Sequence, residues 1–203
     1  MRWLLVLCCA ASLAAAPKRA VWIDSANRSE LALRLARPAP ELDIRGIGLA
    51  GDGLAAALAR GPLTIIAFGS LTGIAAVMEQ HPELVKNIER VVAADYNFAR
   101  DLRAARVLLS TAVELTLIPR QLYFKADSMV PQPHDDAAVA SILALSYVMS
   151  RGDMECANYP AKIESGELRV GRLIESTRKV TYCMTLEHEF KPNLLRRFAM
   201  IPK

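Results

Sequence analysis

Apolar positions along the chain follow two alternating spacings. Short continuous or alternating apolar runs give way to longer stretches in which apolar residues recur every three or four positions. The first spacing predicts strands and the second amphipathic helices, and their regular alternation is the signature of strands joined through crossover helices. Residues 20–24, Ala-Val-Trp-Ile-Asp, read as a first buried strand. Asn27 or Ser29 then caps a helix over 30–36, which Pro38 and Pro40 end. Residues 42–47 alternate as a second strand, and 63–68 form an unbroken apolar run, as expected where both faces of a parallel sheet are covered. Further strands are predicted over 90–94 and 115–118, with a β-rich segment over 180–186. Helices are predicted from Gly69-Ser70 to His81-Pro82, over 101–110 with Leu102, Ala105 and Leu109 on one face, and over 191–200. The longest begins at Asp135-Asp136 and stops at Ser150-Arg151-Gly152, with acids in its first turn and a glycine exit.

This order predicts an α/β fold, a single domain with a mainly parallel central sheet flanked by helices, over residues 17–203. Gly46, Gly48, Gly51 and Gly53 do not have the spacing of a dinucleotide-binding turn and read as a tight strand-to-helix connection. Arg120, Lys125 and Asp127 fall in a loop-like stretch, read as a solvated loop in preference to a pocket wall.

Composition narrows the classes. A chain of 203 residues with 53% hydrophobic and 23% charged residues can bury a real core. Its net charge of +4 is spread as mixed-sign pairs without basic runs, so no nucleic-acid partner is expected. Residues 1–16 have the layout of a secretory signal: Met1-Arg2 supply charge, Trp3 to Leu13 an apolar stretch, and Ser12-Leu13-Ala14 or Ala14-Ala15-Ala16 small residues for cleavage. Pro17 favours cleavage after Ala14. The apolar stretch falls well short of the ~20 residues that span a bilayer, so no stable membrane anchor is expected. Leu7 stands where a lipoprotein signal ahead of Cys8 and Cys9 requires a small residue. The predicted location is outside the cytoplasm, periplasmic or secreted. Cys156 and Cys183 then remain, and two readings stand: a disulfide, or two separate buried thiols. A homo-oligomer is left open.

Polar residues that interrupt the apolar pattern gather at one kind of place. Asp24, Ser70, Asp95, Asn97 and His134-Asp135 all fall at the carboxyl ends of predicted strands or the starts of helices. Open α/β sheets bind ligands along that edge, although each residue alone is also an ordinary cap. His81 and His188 have no such company and are assigned nothing.

Three segments resemble the inosine/uridine-preferring nucleoside hydrolases, calcium enzymes that split the N-glycosidic bond of ribonucleosides. Gly69-Ser70-Leu71-Thr72-Gly73-Ile74-Ala75 is similar to that family's Gly-Pro-Leu-Thr-Asn-hydrophobic-Ala segment. Asp95-Tyr96-Asn97, followed by Asp101-Leu102-Arg103-Ala104-Ala105, resembles its Glu-Phe-Asn and Asp-Pro-Glu-Ala-Ala stretch. Pro133-His134-Asp135-Asp136-Ala137 resembles its His-Asp-Pro helix start, and the tail over 166–172 is similar as well. The order and spacing of these matches cover most of the chain after residue 16.

The resemblance implies a shortened, divergent member of the family. It assigns His134 and Asp24 to catalysis, Asn97 and Asp95 to ribose hydroxyls, and Asp24, Glu30 and Asp135 to a calcium ion, the donor type a hard cation takes. The chain departs from the family where the calcium-binding signature, Asp-x-Asp-Pro-Gly-x-Asp-Asp, should stand. Here it reads Asp24-Ser25-Ala26-Asn27-Arg28-Ser29-Glu30-Leu31, so Ala26 occupies the position of the base and Glu30-Leu31 replaces the Asp pair. Arg28 adds positive charge beside the site. The connections between Gly51 and Leu54 and between Val92 and Asp95 are also abbreviated, which removes part of the family's pocket wall. Two functions follow as expectations: hydrolysis of a ribonucleoside or related ribosyl compound, or a catalytically inactive protein that binds a ribosyl ligand or acts as a scaffold.

Overall fold

The computed structural model describes residues 17–25, 29–131 and 135–202. The predicted signal segment 1–16, the signature positions Ala26, Asn27 and Arg28, and His134 lie outside the described residues. The strands are β1 (Arg19–Asp24), β2 (Leu42–Gly48), β3 (Leu63–Ala67), β4 (Ile88–Ala94), β5 (Glu114–Ile118), β6 (Met154–Glu164), β7 (Glu167–Val170) and β8 (Lys179–Leu186). They form one sheet in the order β2-β1-β3-β4-β5-β8-β6-β7. Pairing is parallel from β2 through β8, and β6 and β7 add an antiparallel extension.

The helices between strands are α1 (Glu30–Ala36), α2 (Asp52–Ala59), α3 (Thr72–Gln80), α4 (Asp95–Arg100), α5 (Leu102–Leu109), α6 (Gln121–Asp127) and α7 (Asp136–Met149), and α8 (Phe190–Ala199) follows β8. They cover both faces of the sheet because successive strand residues point to opposite sides. Val21, Ile23, Ile66 and Val92 face a core shared with α1, α6, α7 and α8. Trp22, Ile65 and Val91 face a second core shared with α2, α3 and α5. With a helical layer on each side, β3 is buried at every residue, as its unbroken apolar run predicts.

The sequence reading misses several elements. The stretch with Arg120, Lys125 and Asp127 is not a loop: 121–127 is α6, which buries Leu122, Tyr123 and Ala126 at helical spacing against the first core. Lys125 and Asp127 lie on its exposed side. A short helix, α4, follows β4 directly, and Pro82–Asn87 is a turn of 3-10 helix. The hairpin of β6 and β7 carries mostly polar or half-buried residues, so its sequence lacks the apolar run that marks a central strand. Cys156 and Cys183, opposite each other in the β6–β8 register, form a disulfide.

Close packing fixes the course of β2 and α2. The Trp22 ring lies against Gly46 and Gly53, where a Cβ would meet ring carbons at 2.2 and 2.9 Å. A Cβ on Gly73 would likewise meet the Ala50 carbonyl oxygen at 2.6 Å, so α3 approaches the connection after β2 at backbone distance. Gly46 and Gly53 therefore serve packing, in agreement with the reading of a tight strand-to-helix turn.

Candidate functional site

β1, β3 and β4 end side by side, and their last residues build the first part of the site. Asp24 closes β1, is buried, and accepts a hydrogen bond at Oδ1 from the Ala50 backbone N–H, 2.9 Å away. Burial pushes its carboxyl up to about 6, with the Ala50 hydrogen bond only partly offsetting that cost. The Asp24 carbonyl accepts from the Phe68 N–H at 2.9 Å, which ties the ends of β1 and β3 together. Asn97, on the first turn of α4, is buried and its side-chain amide donates to the Ala67 carbonyl at 3.4 Å. Asp24 and Asn97 thus flank the end of β3, where Ala67 is in register with Asp24.

Asp95 extends this edge. Its Oδ2 accepts from the Arg120 backbone N–H at 3.2 Å, and the Tyr123 hydroxyl, which donates to the Ile118 carbonyl at 3.0 Å, lies 3.4 Å from Oδ1. Burial raises the Asp95 carboxyl above its ordinary value, while hydrogen bonds from the Arg120 and Tyr96 backbone and the Tyr123 hydroxyl oppose that shift. The Arg120 guanidinium pairs with Asp136 at 3.0 Å, on the first turn of α7. A chain of direct contacts and neighbouring residues therefore runs from Asp24 through Ala67, Asn97, Asp95 and Arg120 to the Asp135-Asp136 pair along one edge of the sheet.

Beside Asp95 opens a cleft of about 570 Å³, walled by Asp95, Tyr96, Arg120, Glu167, Leu168 and Tyr182 among others. Asp95 is the predicted site residue that lines it; Asp24, Asn97, Glu30 and Asp135 do not. Sequence reasoning missed Tyr96 and Tyr182 as lining residues, and it took Arg120 for part of a solvated loop. The tail over 166–172 was the available signal, since the tip of the β6–β7 hairpin supplies Gly166 through Leu168 to the wall.

The remaining predicted residues serve local roles. Asp135 is exposed and its Oδ1 accepts from the Ala138 N–H at 2.8 Å, capping α7. Glu30 is exposed on the first turn of α1. Ser29 does not cap α1 through its side chain; its hydroxyl instead meets that of Ser141 at 2.9 Å, pinning α1 to α7. Among the described residues no three His, Cys, Asp or Glu side chains come together as a metal-binding group.

By sequence, no family model and no curated protein matches the chain. Solved structures match it by fold. An inosine-uridine preferring nucleoside hydrolase from Bacillus anthracis aligns with a TM-score of 0.72 at 11% identity, over 91% of this chain and 100% of that one. An inosine-guanosine nucleoside hydrolase aligns at 0.72 and 10% identity, over 92% and 100%. A purine-preferring ribonucleoside hydrolase from Gardnerella vaginalis aligns at 0.66 and 12% identity, over 90% and 97%. The chain has the nucleoside hydrolase fold.

Proposed function

We propose that the protein is an exported nucleoside hydrolase-like protein that takes a ribonucleoside or related ribosyl compound at the carboxyl edge of its sheet and hydrolyses the N-glycosidic bond. One observation carries the reading: on the nucleoside hydrolase fold, Asp24 ends β1 while Asp95 and Asn97 open α4 just beyond β4, with the end of β3 between them and Asn97 bonded to Ala67, the register partner of Asp24. Hydrolysis joins a water oxygen to the anomeric carbon and breaks the carbon–nitrogen bond. The base leaves with that electron pair and a proton. The transition state resembles an oxocarbenium ion, so anchored hydroxyls and a nearby carboxylate favour it. Asn97 and Asp95 are assigned to the ribose hydroxyls. Asp24, held near 6, can exchange a proton close to neutral pH, and His134 is assigned to protonation of the departing base. A carboxyl shifted upward by burial at the carboxyl edge of an α/β sheet is one feature that supports this assignment. Export is supported by the disulfide, which persists in oxidising compartments.

A second reading, ribosyl binding without turnover, rests on the cap role of Asp135 and the exposed position of Glu30. No step of the first reading is routed through a metal. Calcium, held by Asp24, Glu30 and Asp135, is proposed as an addition that the same experiment tests. Purified mature protein is incubated with a panel of ribonucleosides, with and without millimolar calcium, while free base and Tm are followed. Base release supports hydrolysis, and calcium-dependent release with a Tm rise supports the metal. A nucleoside-induced Tm rise without release supports the binder, because a ligand of the folded state alone stabilises it by about 2.7 kcal/mol at a hundred times its Kd. Neither release nor a shift, for any nucleoside, sinks both readings.

A further inference from the structure

The opposite edge of the sheet, where β4, β5 and β8 begin, holds a second cavity of about 200 Å³, lined by Arg90, Glu114, Asn158, Arg178, Lys179 and Thr181 among others. Its charges do not cancel. Glu114 is engaged by Arg90, which also donates to the Thr116 hydroxyl at 2.7 Å and the Tyr147 hydroxyl at 3.0 Å. Arg178 and Lys179 have no carboxylate partner among the described residues. The Arg178 guanidinium donates through one terminal nitrogen to the Val113 carbonyl, while its Nε is buried with no acceptor. Burial alone holds Arg178 below its ordinary value, and no nearby acid offsets that cost. Asn158 accepts at Oδ1 from the Thr181 hydroxyl at 3.1 Å, which leaves its amide hydrogens for another acceptor.

The wall therefore offers a guanidinium, an ammonium and an amide, all hydrogen-bond donors, with two positive charges unanswered. Arg178 is half-buried with one of its donors unmet, and an oxyanion with several lone pairs supplies a counter-charge and acceptors to the guanidinium and to the Lys179 ammonium. We propose that this cavity is a binding site for a phosphate-type oxyanion, either the free ion or the terminal group of a phosphate ester. The site is independent of the nucleoside reading, since it lies at the amino edge of the sheet and shares no residue with the cleft at Asp95.

The test measures Tm and calorimetric binding of the full mature chain with inorganic phosphate and with glycerol phosphate, each against chloride at matched ionic strength. Lys179→Gln changes an exposed residue and preserves the fold; Arg178→Gln is the second variant. Phosphate should raise Tm beyond chloride in the unaltered protein, and Lys179→Gln should weaken its binding about tenfold, the loss expected for one charged hydrogen bond. A response to inorganic phosphate alone assigns the site to the free ion, and a response to both probes extends it to esters. A shift no larger than that with chloride, or an equal phosphate shift in the unaltered protein and in Lys179→Gln, overturns the proposal.

Discussion

Asp24 shows how one side chain can be costly to the fold and useful to the site. Its carboxyl is buried at a strand end with a single hydrogen bond to offset desolvation, which moves it from an ordinary value of 3.8 up to about 6. Between those values the folded protein holds a proton that the unfolded chain has released, so stability falls as pH rises through that window. Above about pH 6 the whole penalty is present, on the order of 3 kcal/mol. Asp24→Asn keeps an acceptor for the Ala50 N–H but cannot ionise. In chelator-treated buffer it should therefore raise Tm at pH 8 and bring little gain at pH 4. Thermal melts across that range check this, and an equal gain at both ends would show that ionisation is not the cause. Asp24 was legible as a candidate because a polar residue ends an apolar strand. Its burial was not, since that depends on Ala50 and the end of β3, neither of which adjoins it in sequence.

Individual elements are held by contacts between segments distant in the chain. The indole of Trp22, on β1, fills the space left by Gly46 on β2 and Gly53 on α2, so Gly46→Ala would drive a Cβ into a buried ring. A loss of about 1–3 kcal/mol is expected in denaturant titrations, in line with other overpacked cores. Gly152→Ala, where a Cβ meets nothing within 4 Å, is the control and should stay within about 0.5 kcal/mol of the parent. The β6–β7 hairpin depends on a different tie. Cys156 and Cys183 bond β6 to β8, the last strand of the parallel sheet, and the same hairpin walls the cleft at Asp95. Cys156→Ala/Cys183→Ala should lower stability by about 2–4 kcal/mol, and a reducing agent acting on the parent protein should reproduce that loss. If neither treatment moves the unfolding midpoint, the bond does not stabilise the fold. Helix α6 was overlooked because it spans only seven residues between Pro119 and Pro131, so its pattern is too short to stand out. The helix is held by burial of Tyr123 and Leu122 under the sheet, a tertiary cause.

At the scale of the whole molecule, export is a separate matter from fold. Expression of the full sequence in a bacterial host should deliver protein outside the cytoplasm, beginning at Ala15 or Pro17, with Cys156 and Cys183 oxidised. Amino-terminal sequencing and thiol labelling check this, and cytoplasmic protein that retains Met1 would contradict it. None of the described helices is long and apolar enough to cross a membrane.

The sequence alone determined the α/β layering and the chemistry available at the sheet's carboxyl edge. Strand periodicity sends Val21 and Ile23 to one face and Trp22 to the other, and polar residues such as Asp24, Asp95 and Asn97 stand out wherever an apolar run stops. Only the tertiary structure decided which of those residues meet, and which are spent as caps, as Asp135 is. It also decided that an antiparallel hairpin with little apolar signature walls the cleft, and that Arg178 is left half-buried without a counter-ion among the described residues. The reason is physical: periodicity records whether a residue faces a core, whereas contact and desolvation arise from packing between segments that the chain keeps far apart.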